Sequence, residues 1–448
     1  MSATCPVVIL GGGLAGLAAA GHLRPVPSLV IEAEAEVGGL ARSHAEDGFV
    51  FDCTGHLLHL RDARIQALVD RLLPGTLARH ERRAQIFSHG VFTAYPFQAN
   101  LHGLPQEVVL ECLTGFVESL LRRPADGDPD PAQASFKEWA GRTFGAGIAR
   151  HFMLPYNAKL WRVDLEEVEC GWVSWSVPRP QLKEVLEGAF GRTVRGLGYN
   201  PTFLYPRRGG IRALPDALAG ECPEIRTRRR AVAVDARART VTLDDGAVIG
   251  WETLVSTIPL DRLLAITRGL PEALPAAGRG LRAVRVLNIS LGIDRAAVCG
   301  AHWIYFPEPA FSIYRAGFPG NLSDTLAPRG CSPIYAERSL LRDEPFDPDA
   351  VVAQAVEDLR RAGILRAGDR IVHRRVQVLD PAYVIYDRHR AAHLPGIHAG
   401  LKDLDIVSTG RFGAWEYSSM ETAIQEGMDA AESIRPRFLS RQAARRAV

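Results

Sequence analysis

Two short apolar runs stand near the N-terminus, Val7-Val8-Ile9-Leu10 and Leu29-Val30-Ile31, and residues 14–23 between them place apolar side chains at helical spacing. Apolar runs bounded by turn residues predict strands buried on both faces, and a helix joining two of them predicts a parallel strand–helix–strand unit. From about residue 106 to 187 the period changes. Val108, Val109, Cys112, Leu113, Phe116, Leu120 and Leu121 follow a helical repeat, which predicts a helical insertion, interrupted at 122–132 by a polar, proline-rich loop. Strand patterns return at 231–235 and 240–243, turn at Asp244-Asp245-Gly246, and reach 253–257. Alternation over 284–313 and an amphipathic stretch at 349–362 predict a second sheet layer with a helix. Near the end, Ile406-Val407-Ser408 runs into a glycine turn at Gly410, and residues 420–434 read as a helix.

These elements predict an α/β fold in which residues 1–90, 205–275 and 400–440 assemble a Rossmann-type nucleotide-binding domain. A mainly helical inserted domain would span 91–204, and a sheet-containing substrate domain 276–399. The 448 residues, 47% of them hydrophobic, suffice for two joined cores. The 53 basic and 51 acidic residues are spread without long blocks, so no nucleic-acid partner is expected. All but four of the basic residues are arginine, so one arginine means little without a motif around it. Seven scattered cysteines without a C-x-x-C pair point to a reduced cytoplasmic compartment and away from zinc. No membrane span is expected: residues 6–23 are apolar, but no basic stretch precedes them and their glycines belong to a turn.

That turn carries the first chemistry. Gly11, Gly13 and Gly16 form Gly-x-Gly-x-x-Gly between a strand and a helix, the pattern that lets a backbone approach a dinucleotide's pyrophosphate at a helix N-terminus. Glu32 ends the next apolar run, 21 residues beyond Gly11, where a carboxylate accepts hydrogen bonds from a ribose diol. The Gly38-Gly39 doublet with Arg42 then extends the cradle.

Together with Val255-Ser256-Thr257-Ile258-Pro259 and Thr409-Gly410-Arg411, these residues resemble the FAD-dependent amine oxidase and protoporphyrinogen oxidase superfamily. Further motifs are more specific: Tyr95-Pro96-Phe97-Gln98-x-Asn100, Phe152-Met153-x-Pro155-Tyr156-Asn157-x-Lys159-x-Trp161, Trp303-x-Tyr305-Phe306-Pro307-Glu308, Tyr314-Arg315 and Gly410-Arg411-Phe412-Gly413-x-Trp415-x-Tyr417. They resemble the UDP-galactopyranose mutase family, its eukaryotic branch more than the compact bacterial one. The resemblance implies that Gly11, Gly13, Gly16, Glu32, Gly39, Arg42, Gly410 and Arg411 hold FAD, with Gly55 and His56 close to the isoalloxazine. Tyr95, Phe97, Gln98, Asn157 and Trp161 would face the nucleotide of a nucleotide sugar, and Tyr305, Arg315, Tyr386 and Tyr417 its diphosphate and sugar. Arg315, His56, Tyr417 and Tyr386 would carry the catalysis.

The implied reaction interconverts pyranose and furanose nucleotide sugars for polysaccharide biosynthesis. Reduced FAD would act through N5 as nucleophile at the anomeric carbon, with NAD(P)H or another small reductant keeping it reduced. An FAD-dependent oxidoreductase acting on a different small molecule is the alternative on the same framework. Two positions depart from the family pattern. Ser176 stands where a diphosphate-binding arginine is expected, with Arg179 as the candidate to replace it, and Leu322 stands where a tyrosine is expected.

Overall fold

The computed structural model describes residues 3–122, 134–173, 177–198 and 200–446. Ser176, and all of the expected proline-rich loop except Arg122, lie outside the described residues.

The first sheet is built on Ala3–Leu10, which pairs in parallel with Ser28–Ile31 on one side and Val248–Ser256 on the other. Ile406–Ser408 adds a further parallel partner to Val248–Ser256, and Thr240–Leu243 and Ala231–Asp235 extend the sheet antiparallel. Val7, Val8 and Ile9 are completely buried, as the unbroken apolar run requires of a strand covered on both faces. The helix Leu14–His22 covers one face and packs on Met420–Arg446. That contact depends on glycine, because a Cβ on Gly427 would lie 2.1 Å from the carbonyl oxygen of Ala15.

The second sheet has seven strands in the order Ile371–Val384, Ala283–Ile293, Ser332–Leu341, Arg315–Gly317, Trp303–Tyr305, Ala84–Ser88, Val91–Ala94. The last two form a hairpin from a stretch that the sequence pattern assigned largely to the nucleotide domain. One face buries Leu287, Ile289, Leu291, Ala316 and Ala336 under the helix Pro348–Arg361. The other carries a polar rung, since Asn288 pairs with Glu337, Glu337 with Arg315, and Arg315 with Tyr305. Residues directly opposite in antiparallel strands share a face, so the register alone sets Glu337, Arg315 and Tyr305 side by side.

The inserted region contains Gln106–Leu121, Phe136–Ile148, Leu154–Trp161 and Leu182–Ala189. Ala149–Met153, between the second and third helices, is a π-helical turn. The first two helices cross at glycines: a Cβ on Gly145 would lie 2.0 Å from the Gly115 carbonyl oxygen. Among the described residues no helix is long and apolar enough to cross a membrane.

Candidate active site

The glycine turn has the geometry that its spacing predicts. Gly11 adopts a φ of +100°, and a Cβ on Gly16 would stand 2.0 Å from the Gly11 carbonyl oxygen. The Gly38 amide donates to the Gly12 carbonyl at 2.7 Å, drawing the second glycine pair against the first. Gly13 and Gly39 face each other there, and the first atom a Gly13 Cβ would meet is the Gly39 Cα, 3.9 Å away. Side chains at these two positions would fill the cradle, so the residues present fit a pyrophosphate. Glu32 is buried, with its carboxylate accepting from the Gly12 amide at 2.7 Å and the Glu34 amide at 2.8 Å. These bonds fix its orientation and leave lone pairs for a ribose diol. Arg42 donates through Nε to the Gly39 carbonyl at 2.9 Å and supports the turn from outside.

Gly410, at φ +77°, follows the strand Ile406–Ser408, and a Cβ there would press on the Ala15 methyl at 2.7 Å. Arg411 next to it donates to the carbonyls of Ser418 at 2.8 Å and Ala382 at 3.0 Å. Its guanidinium lies 4.8 Å from the centre of the Tyr417 ring and 5.5 Å from that of Tyr383, while its Nε is buried without a partner among the described residues.

Gly55 and His56 lie against the second sheet. Tyr335, on the polar face of the second sheet, reaches between Gly317 and Gly55, where a Cβ on Gly55 would lie 2.1 Å from its hydroxyl. We expect Gly55→Ala to displace His56 and perturb the absorption spectrum of a bound flavin, and Gly55→Ala with Tyr335→Phe to recover part of the change. An unaltered spectrum in the single variant would refute this placement. A cavity of about 10 Å³, room for one water, lies beside His56 and is lined in part by Thr54, Trp303, Leu322 and Tyr335. Leu322 thus does face the His56 loop, with an apolar side chain.

Burial, followed by the positive charges of Arg411 and Arg315, lowers the His56 pKa to about 4. Burial likewise lowers His59 to about 4 and His302 to about 3. The unfolded chain therefore takes up these protons first as the pH falls below about 6.5, so their contribution to stability is lost progressively as the pH drops toward about 4. Asp52 and Glu426, raised by burial to about 6 and about 7, act in the opposite direction, favouring the folded state as the pH falls from about 7 toward 4. His302→Asn should accordingly flatten the dependence of the thermal unfolding midpoint on pH below 6.5. An unchanged slope would contradict the neutral buried histidine.

On the substrate side, Arg315 makes a two-pronged ion pair with the fully buried Glu337, Nε to Oε2 at 3.0 Å and Nη2 to Oε1 at 2.8 Å. Tyr95 and Tyr305 stand with ring centres 5.5 Å apart, and Tyr156 meets Tyr305 edge-on at 5.3 Å. The structure changes the role of one expected catalytic residue. Tyr386 lies beyond the end of its strand, its hydroxyl accepts from the Tyr417 amide at 2.8 Å, and Arg390 covers its ring at 4.0 Å. Tyr386 therefore holds the Tyr417 backbone. Tyr383, three residues earlier and not singled out in the sequence, has its ring 5.6 Å from the Tyr417 ring and lies within electrostatic reach of Arg315.

Four of the expected nucleotide contacts are held by partners within the protein. Phe97 is fully buried and stacked on Phe152 at 5.1 Å. Asn157 donates to the Met153 carbonyl at 2.8 Å and accepts from Trp161 Nε1 at 3.1 Å, so both side chains tie two successive turns together within the core. Gln98 donates to the Pro178 carbonyl at 2.7 Å and buries an Oε1 without a partner among the described residues. Arg179 is exposed, with its guanidinium 5.5 Å from the centre of the Trp139 ring.

A profile of the family described as flavin containing amine oxidoreductase matches residues 14–435. Among solved structures, the chain is similar to reduced UDP-galactopyranose mutase, with 28% identity, a TM-score of 0.90, and coverage of 96% of this chain and 94% of that one. Wild-type putrescine oxidase bound to putrescine shares the fold at 16% identity and a TM-score of 0.66, covering 97% and 99% of the two chains. An oxidoreductase from Methanosarcina mazei does so at 14% identity and 0.66, covering 95% and 100%.

Proposed function

The chain belongs to the flavin-containing amine oxidoreductase family, and from that premise we propose that it is a flavin-dependent mutase interconverting the pyranose and furanose forms of a nucleotide sugar. The observation that carries this reading is the Arg315–Glu337 pair set in one rung with Tyr305, facing Tyr383 and Tyr417. FAD would be held by Gly11, Gly13, Gly39, Glu32, Arg42, Gly410 and Arg411. When bound and reduced, it supplies a nucleophile for the anomeric carbon.

The chain's own residues account for the rest. Glu337 occupies one edge of the Arg315 guanidinium and leaves the remaining N–H groups to a departing diphosphate, oriented in advance. Burial raises Tyr305 above the usual phenol range and pushes Tyr383 up to about 12, so both remain donors at neutral pH. A neutral His56 adds no positive charge beside the ring system. Tyr386 keeps Tyr417 in place.

The test is anaerobic conversion of UDP-galactofuranose by the flavin-loaded protein, with and without dithionite, followed by chromatography. Dithionite-dependent formation of UDP-galactopyranose supports the mutase. Equal turnover with oxidised flavin would sink the reduced-flavin mutase, and substrate-dependent bleaching with peroxide or quinol released would replace it with a net oxidoreductase.

A further inference from the structure

We propose that Arg82 is a second anion-binding residue of this site and, together with Arg315, takes the diphosphate of a nucleoside diphosphate ligand; this rests on the nucleotide-sugar reading. Arg82 lies in the short connection between the strands Leu77–Glu81 and Ala84–Ser88, and its amide donates to the Pro201 carbonyl at 2.9 Å. Its guanidinium stands 4.6 Å from the centre of the Tyr95 ring, donates to Asn200 Oδ1 at 2.5 Å and donates to the Leu197 carbonyl at 2.7 Å.

All of these partners are neutral. Among the described residues no carboxylate forms an ion pair with Arg82, whereas Arg315 is matched by Glu337. A half-buried guanidinium whose partners are all neutral has no counter-charge close by, and an arriving anion supplies one. Two of the five N–H groups are engaged, which leaves donors for phosphate oxygens.

The position also fits. Tyr95 meets Tyr305 at 5.5 Å, and Tyr305 is the direct strand partner of Arg315. The Tyr305 hydroxyl feels the positive charge of both arginines. The two cations therefore flank one pair of tilted, adjacent tyrosine rings, with Arg82 on the Tyr95 side and Arg315 on the Tyr305 side. The Arg315 charge is already balanced, so Arg82 supplies net positive potential on this side of the site. Its sequence gives no hint of this, because Arg82-Arg83 is one arginine pair among many in an arginine-rich chain.

The test measures binding of UDP and of uridine to the flavin-loaded wild type, Arg82→Met and Arg82→Lys, by calorimetry at two salt concentrations. Methionine keeps the aliphatic stem over Tyr95 and removes the charge. The expected result is UDP binding about 10- to 100-fold weaker in Arg82→Met, with a smaller salt dependence, and much of the affinity restored by lysine. Uridine should bind all three proteins alike. Equal losses for uridine and UDP would mean that Arg82 acts by packing, and unchanged UDP binding in Arg82→Met would overturn the assignment alone. Failure of the wild type to bind UDP would overturn the nucleotide-sugar reading and this assignment with it.

Discussion

Arg315→Ala is expected to lower mutase turnover by roughly a hundredfold to a thousandfold, the usual loss when one oriented donor to developing negative charge is removed. The same change should also destabilise the fold. Glu337 is fully buried and pairs with Arg315 through both oxygens, so deleting the arginine leaves a buried carboxylate without its counter-charge. Breaking such a pair from one side typically costs about 3–5 kcal/mol. A single variant therefore confuses two effects, and a double variant separates them. Arg315→Gln with Glu337→Gln removes both charges while keeping hydrogen-bonding groups at similar volume, so much of the stability should return while turnover stays low. Denaturant unfolding and steady-state kinetics on the three proteins decide the matter. Restored activity in the double variant would show that Arg315 serves the fold and not the leaving group.

The second large effect is expected at Gly16. An added methyl would lie 2.0 Å from the Gly11 carbonyl oxygen, a contact that no side-chain rotation relieves. Gly16→Ala must push the helix Leu14–His22 away from the turn, and the helix N-terminus is the group aimed at the pyrophosphate. We expect purified Gly16→Ala to carry little or no flavin and to unfold at lower temperature than the wild type. Gly13→Ala offers the contrast, since its methyl would meet no protein atom nearer than 3.9 Å and would hinder the ligand alone. It should fold normally and bind FAD weakly. Full flavin occupancy in Gly16→Ala, read from the ratio of visible to ultraviolet absorbance, would refute this account.

The nucleotide half of this site was legible because its geometry is local. Three glycines within six residues, a strand before them, a helix after them and an acid at the end of the next strand determine the turn and the Glu32 contact with little help from the rest of the chain. The same locality explains why the strands Ala231–Asp235 and Thr240–Leu243 were found at their observed bounds.

The substrate half was legible in residue types and less so in their assignments. Tyr383 lies in the strand Ile371–Val384 and Tyr386 beyond its end, so where that strand pairs and stops sets which of them meets the Tyr417 ring and which its backbone. Phe97, Asn157 and Trp161 belong to the expected motifs, yet packing turns them inward. The hairpin Ala84–Ser88 and Val91–Ala94 joins a sheet whose neighbouring strand lies more than two hundred residues away in the chain.

The sequence by itself thus determined the α/β class and the glycine-rich turn between strand and helix, because backbone conformation and periodicity are set by near neighbours. The tertiary structure alone decided that Glu337 orients Arg315, that Tyr383 stands beside the Tyr417 ring while Tyr386 bonds its backbone, and that Arg82 stands over Tyr95 with no carboxylate paired to it among the described residues. Strand register, burial and charge balance depend on residues distant in the chain, and they exist only once those residues are packed together.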